Sequence, residues 1–448
     1  MNRQAPARDA RPIANNGLMP ITPALLLLAV AACAPSQPPH AAQRGEQPAE
    51  DWRARERALL GPTQLTFDDR FARAGEAYFA PDWNGIENDR GLVIFQAIER
   101  PREGAEADPF YGMFVGRIGA TGLDDITRVS PPSSANTCGW FHPSSPRILF
   151  GSTNTRPSDE QRSGFQVGSR RYVWMFPEEM EIVERNLAPV FGGAGGGSTK
   201  LGRVPTSAEL IKPVFSLPNY DAECSYDPSG RFLLYAHVED GEAGGKPDAN
   251  IYIFDTRTEQ HHALVTAPGY DGGPFFSPDG KSICYRSDRN GDDLLQIFVA
   301  DLLFEEGVPV GISREWQLTD NGHVNWAPYW HPSGEFLVYA SSEAGHTNYE
   351  LFAIESPMER LRNLAQGAPA APLCRHVRVT FAPGADILPA FNADGSKLMW
   401  TSQRHGPARE GERPSSQLWI AEWKGISFNG AVPATGGNEA KPGSQRGH

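Results

Sequence analysis

The sequence predicts an all-β fold: a six-bladed β-propeller of four-stranded blades, closed by an N-terminal strand. Three observations carry this. Six segments repeat one aromatic–turn–strand pattern. Each is followed by further short strand-like runs. The last unit lacks its fourth run, while an orphan run stands before the first unit.

Internal repeats decide architecture, so they come first. FHPSSPRILFGS from Phe141, YDPSGRFLLYAH from Tyr226, FSPDGKSICYRS from Phe276, WHPSGEFLVYAS from Trp330 and FNADGSKLMWTS from Phe391 align without gaps. Each opens on an aromatic. Two residues on stands Pro143, Pro228, Pro278, Pro332 or, as the exception, Ala393. Seven residues later comes a second aromatic: Phe150, Tyr235, Tyr285, Tyr339 or Trp400. The sixth copy starts at Phe79, has a longer turn, and is anchored by Pro81 and Phe95. Pro with Ser or Asp and Gly makes a tight turn, and the alternating apolar run after it returns as a strand.

Third strands are read at GMFVGRI near Met113, RYVWMF near Tyr172, NIYIFD near Ile251, QIFVAD near Ile297, ELFAIE near Leu351 and QLWIAE near Leu418. Fourth strands are read at ITRV near Ile126, PVFS near Pro213, HALV near Ala263, WQLT near Trp316 and VRVT near Val377. The unit starts are 62, 85, 50, 54 and 61 residues apart. Blades run about 40–50 residues, so these carry insertions. The largest, between Asn186 and Lys212, includes GGAGGGSTK. Four-stranded units repeated radially make a propeller. TQLTF at Thr63–Phe67 then supplies the missing strand of the last blade and hides edges that would invite aggregation.

The ends of the chain read differently. Arg3, Arg8 and Arg11 precede ALLLLAVAA at Ala24–Ala32, too short to span a bilayer, which takes about 20 apolar residues. This is a secretory signal. Val30-Ala31-Ala32-Cys33 resembles the bacterial lipobox, which implies lipid on Cys33; Ala34 after it implies the outer membrane. The expected organisation is a lipoprotein signal peptide over 1–32, a flexible tether over 33–59, the propeller over 60–424 and a disordered tail over 425–448. The tether and tail are too polar and too rich in Pro, Gln and Gly to bury a core.

The chain carries a net charge of −13, and about −15 without its signal. That argues against nucleic acid and anionic bilayers as partners. There is no G-x-S-x-G elbow, and GGAGGGSTK lacks the order of a phosphate loop. Cys138, Cys224, Cys284 and Cys374 have no CxxC spacing, so a zinc site is not indicated. Export permits disulfides, and a Cys138–Cys224 bridge stays open. His142 and His331 share one repeat position, just before the turn Pro, where Ala80, Asp227, Ser277 and Asn392 also occur; turn capping explains them. His261-His262 is read as a solvated pair on an outer strand. No catalytic constellation emerges.

One column of the repeat does suggest a site. Seven residues before each anchor stand Ala74, Asn136, Asp221, Asp271, Asn325 and Asp386. The first strand of each blade lines the propeller axis, and its start sits at a channel mouth. Glu76 and Glu223, two residues further on, add carboxylates. The plain reading is that Asp and Asn cap turns. The functional reading is a ligand or cation site at the mouth; oxygen-only ligands favour a hard cation such as Ca2+.

The repeat resembles the TolB-type propeller, and Phe276–Asp301 is nearly a consensus copy. The likeness covers roughly Thr63–Trp423. It implies an envelope protein that binds partners without catalysis: a protein, peptide or glycan. It departs from TolB itself, because residues 34–62 are too few for an α/β domain. It departs from prolyl-oligopeptidase-like enzymes, because only about 25 residues follow the last blade. The alternative is a metal-dependent propeller enzyme, lactonase- or lyase-like, with a central cation.

Overall fold

Each repeat folds as the hairpin its turn chemistry dictates. Asp227 accepts the N–H groups of Ser229 (3.0 Å) and Phe232 (2.7 Å). Ser277 Oγ accepts that of Ser282 (3.0 Å). Gly230, Gly280, Gly334 and Gly395 take φ between 71° and 75°, a region that glycine enters at no steric cost. The computed structural model describes residues 51–83, 91–101, 104–105, 108–158, 164–166, 171–173, 177–187, 211–243, 246–406, 415–429 and 432–433. The signal peptide, Cys33 and GGAGGGSTK lie outside them.

Strand β1 (Leu59–Gln64) precedes the blades. Blade 1 is β2 (Phe71–Phe79), β3 (Leu92–Glu99), β4 (Gly112–Ile118) and β5 (Leu123–Arg128). Blade 2 contains β6 (Asn136–Phe141) and β7 (Arg147–Ser152). A separate small hairpin follows, β8 (Gly164–Gln166) with β9 (Arg171–Val173). The blade then resumes with β10 (Glu181–Asn186) and β11 (Lys212–Pro213). Blade 3 is β12 (Asp221–Tyr226), β13 (Phe232–Ala243), β14 (Lys246–Asp255) and β15 (Gln260–Val265). Blade 4 is β16 (Asp271–Phe276), β17 (Ser282–Ser287), β18 (Gln296–Glu305) and β19 (Val308–Gln317). Blade 5 is β20 (Asn325–Trp330), β21 (Phe336–Ser341), β22 (Glu350–Glu355) and, after helix α1 (Met358–Arg362), β23 (Arg375–Arg378). Blade 6 is β24 (Asp386–Phe391), β25 (Lys397–Ser402) and β26 (Gln417–Trp423), completed by β1. A last strand, β27 (Val432–Pro433), adds to β23.

The six blades and the N-terminal closure are as the sequence predicts. β1 pairs antiparallel with β26, Leu59 opposite Trp423 and Gln64 opposite Trp419. Leu418 N–H then donates to Thr66 Oγ1 (2.9 Å). The second aromatics, Phe95, Phe150, Tyr235, Tyr285, Tyr339 and Trp400, are all fully buried. They are the common core element of the blades.

Three expectations are corrected. The third strand of blade 2 is β10; the run around Tyr172 lies in the β8–β9 hairpin. RYVWMF has the right alternation, but EIVERN provides the buried Ile182 and Val183 that pack in the blade. The tether ends sooner than residue 59. Glu56, Ala58 and Leu59 are buried, and Glu56 receives Arg404 through both oxygens at 3.0 and 3.1 Å. Arg404 also donates to Asp386 (2.8 Å) and lies against Trp52, Trp400 and Trp419. The tail is not wholly unstructured. Ile426 and Phe428 pack on the core beside Phe336, and β27 extends blade 5.

Candidate binding site on the propeller axis

The strand starts occupy the inner strands as expected, but the structure gives each its own partners. Asn136, Asp221, Asp271, Asn325 and Asp386 are all buried. Asn136 Nδ2 donates to the carbonyls of Tyr111 and Ser134, both 2.8 Å. Asp221 pairs with His237 Nδ1 (2.9 Å). Asp271 accepts Ala267 N–H (2.9 Å) and Arg289 Nη2 (3.1 Å). Asn325 donates to Asn321 (2.8 Å) and Gln296 (3.0 Å). Asp386 accepts Trp400 Nε1 (3.1 Å) and Arg404. Burial raises the pKa of Asp221, and that of Asp271 to about 6. Among the described residues, no group of three or more His, Cys, Asp or Glu side chains is placed to hold a metal ion. Each of these side chains is bonded locally, within its own blade, the preceding blade or the connection between them.

What converges lies two residues further along each inner strand. Every inner strand is bulged there: the register shifts between Gly75 and Ala77, Thr137 and Trp140, Ala222 and Ser225, Gly272 and Phe275, Trp326 and Tyr329, and Ile387 and Ala390. The bulged residues Glu76, Cys138, Glu223, Gly273, Ala327 and Leu388 all have φ between 42° and 58°. A bulge re-aims its side chain, and five of the six bulged residues carry one. Blades 1 to 3 contribute an acid, a thiol and an acid; blades 5 and 6 contribute apolar groups.

In blade 4 the position is glycine, and a guanidinium takes the space. A Cβ on Gly273 would stand 2.0 Å from Arg286 Nη1. Arg286 Nη2 donates to Glu223 (3.3 Å) and to Tyr270 Oη (2.7 Å), and Tyr270 O–H in turn donates to Glu223 (2.7 Å). Glu76 is brought beside this cluster, accepting Tyr78 O–H at 3.2 Å. Burial raises its pKa, and hydrogen bonding to Cys138 and the charge of Arg286 only partly offset that. The four described cysteines are thiols; Cys224 Sγ lies 3.7 Å from the Cys138 carbonyl.

Two residues beyond the bulges, Tyr78, Trp140, Phe275 and Tyr329 meet across the axis. Ring centroids lie 4.9 Å apart for Tyr78–Trp140 and 5.3 Å for both Trp140–Phe275 and Phe275–Tyr329. Trp140, Phe275 and Tyr329 floor a funnel of about 240 Å³ whose wall takes residues from all six blades. Pro81, Pro143, Pro228, Pro278 and Pro332 form its lip with Ala393. The lining is mainly apolar, and Trp140, Phe275 and Tyr329 are only half-buried.

His142 and His331 cap their turns, each Nδ1 accepting a serine N–H at 3.1 Å. Each ring also abuts the turn glycine of the next blade, Gly230 or Gly395. His261 is not solvated: it packs against Phe215 and Phe254 and bonds Tyr235 Oη (2.7 Å). The sequence reading missed Tyr78, Trp140, Phe275 and Tyr329. Their signal was available, since they stand four residues after Ala74, Asn136, Asp271 and Asn325 of the repeat column. Arg286 and Tyr270 had no such signal, because they reach the axis from positions outside that column.

Residues 207–372 match the TolB beta propeller domain. That segment carries the TolB-type propeller repeat. Over 199 residues it is 30% identical to Dipeptidyl-peptidase 5 of Porphyromonas gingivalis, covering 43% of this chain and 28% of that protein. Over 144 residues it is 27% identical to the Tol-Pal system protein TolB of Nitratidesulfovibrio vulgaris, covering 30% and 28%. The matches therefore span under a third of these two relatives. The crystal structure of TolB from Acinetobacter baumannii aligns over 76% of this chain and 66% of its own, at 16% identity and a TM-score of 0.46. Within the ring, the funnel and the bulge layer beneath it are the surfaces that draw on several blades at once.

Proposed function

We propose that this TolB-type propeller is a binding protein of the cell envelope, tethered through lipid on Cys33, that holds a protein, peptide or glycan partner over its axial funnel. The observation that carries the reading is the apolar funnel itself. Half-exposed aromatic rings in a concave, proline-lipped site provide the rigid contact area that anchors partners. An acidic chain with such a mouth suits a partner that offers an apolar or aromatic anchor.

Site-specific photocrosslinking in intact envelopes tests this. A benzophenone side chain at Ala393, on the lip, should give a discrete crosslinked product, and one at Glu259, on an outer turn, should not. Trp140→Ala should abolish the product. Equal products from both positions, or none from the lip, would refute the funnel as the binding site. Cys33→Ala should move the chain from the membrane to the soluble fraction; unchanged partition would remove the lipid anchor from the reading.

A further inference from the structure

The outer strands of the six blades are unequal. β1, β5, β11, β15 and β23 run two to six residues, whereas β19 runs ten. Outer strands are normally kept short or covered, because their unpaired N–H and C=O groups template another strand. Blade 5 is covered in this way by β27. Blade 4 has no added strand among the described residues. Its edge instead faces a trough of about 790 Å³, with Ile312–Gln317 and Asp320 on one side and Leu364–Ala371 on the other.

The far wall is fixed in place. Arg314 donates to the carbonyls of Arg362 and Leu364, and Trp316 packs in one cluster with Leu361 and Ala370. The ladder also determines which backbone groups face the trough. Leu318 N–H donates to the Ile297 carbonyl (2.8 Å). Antiparallel pairs alternate between hydrogen-bonded and non-hydrogen-bonded, so Glu315 and Gln317, opposite Ala300 and Phe298, turn their N–H and C=O outward. Asp320 is exposed at the trough, and the guanidinium of Arg314 is engaged by carbonyls. The chain as a whole carries −13.

We propose that this trough is a strand-addition site for an extended basic peptide segment of a partner protein. The segment pairs with the backbone of Glu315 and Gln317 and sets a Lys or Arg near Asp320. Main-chain pairing supplies affinity and the flanking side chains supply selectivity, as in other strand additions. The site lies on the rim of blade 4 and does not depend on the funnel.

The probe is a fluorescein-labelled nonapeptide, Lys-Thr-Val-Thr-Lys-Val-Thr-Val-Lys, titrated into the full chain and read by fluorescence anisotropy. Two versions carry N-methyl groups on alternate residues, in opposite phase. The unmodified peptide should bind, and only one methylated phase should lose binding, because one edge alone faces the protein. Gln317→Pro removes one outward N–H and should weaken binding by about fivefold or more, the worth of a backbone hydrogen bond. Gln366→Trp fills the trough from the opposite wall without touching β19 and should also weaken it. Both methylated peptides binding as well as the parent would overturn the proposal, as would full affinity in Gln366→Trp or no binding by the unmodified peptide. The methylation comparison uses the unaltered protein, so it decides the matter even if a variant misfolds.

Discussion

Arg404 shows how much one side chain can hold. It is almost fully buried, as are its partners Glu56 and Asp386. Removing one partner from a buried ion pair leaves uncompensated charge and costs roughly 3–5 kcal/mol. Arg404→Met should lower unfolding free energy by that order in a urea titration, while Arg53→Ala, in an exposed pair with Asp51, should change it by less than about 1 kcal/mol. Glu350 offers a pH test. Burial is the main cause of its rise to about 7, against the pull of Arg378 and Thr380. An acid whose folded pKa is raised favours the native state when protonated. Its stabilising contribution is thus complete below about pH 4 and is lost as pH climbs through 7. The stability difference between wild type and Glu350→Gln should therefore move against wild type by about 3 kcal/mol from pH 4 to 8. A difference that stays flat with pH would place the pKa of Glu350 in the ordinary range.

At the scale of the strand, the bulges matter most. Gly273 is the one glycine among six equivalent bulged residues, and the guanidinium of Arg286 occupies the space its side chain would need. Gly273→Ala should cost on the order of 2–4 kcal/mol, combining left-handed strain with displacement of a buried charge. The conservative comparison is Ala327→Gly at the equivalent point of blade 5, which should be near neutral. Thermal melts of the two variants check this. The blades themselves were legible in the sequence because aromatic, turn and strand recur at fixed spacing, and Phe95 to Trp400 fell where the spacing put them. The site was legible only in part. Asp221, Asp271 and Asp386 stood out by residue type, yet each is bonded to a partner close to its own strand. Glu76 and Glu223 were found, but the reason they reach the axis, a bulge with positive φ, leaves no mark on residue identity. The third strand of blade 2 was misplaced because a hairpin and a blade strand share the same alternation.

Across the whole molecule, the two ends of the propeller meet in one sheet. Removing residues 51–64 should strip β1 and the Glu56 latch, expose β26 and sharply lower the melting temperature, with aggregation through the bared edge. Truncation after Pro433 should leave it nearly unchanged. Similar mild effects from the two deletions would mean that the ring does not rely on its N-terminal strand. The closing hydrogen bond from Leu418 to Thr66 joins residues 352 positions apart. Loop-closure entropy grows only with the logarithm of length, about 0.6 kcal/mol for each doubling, so this span affects equilibrium stability little. Its larger effect is on time. A chain made from its N-terminus must carry Leu59–Gln64 without a partner until Trp423 emerges, and such distant pairing forms slowly. Once formed, the seam joins the first strand of the ring to the last blade, so no blade is left as a free end from which to unravel. Loss of the fold then becomes a matter of half-life, set by the rate at which this single seam opens.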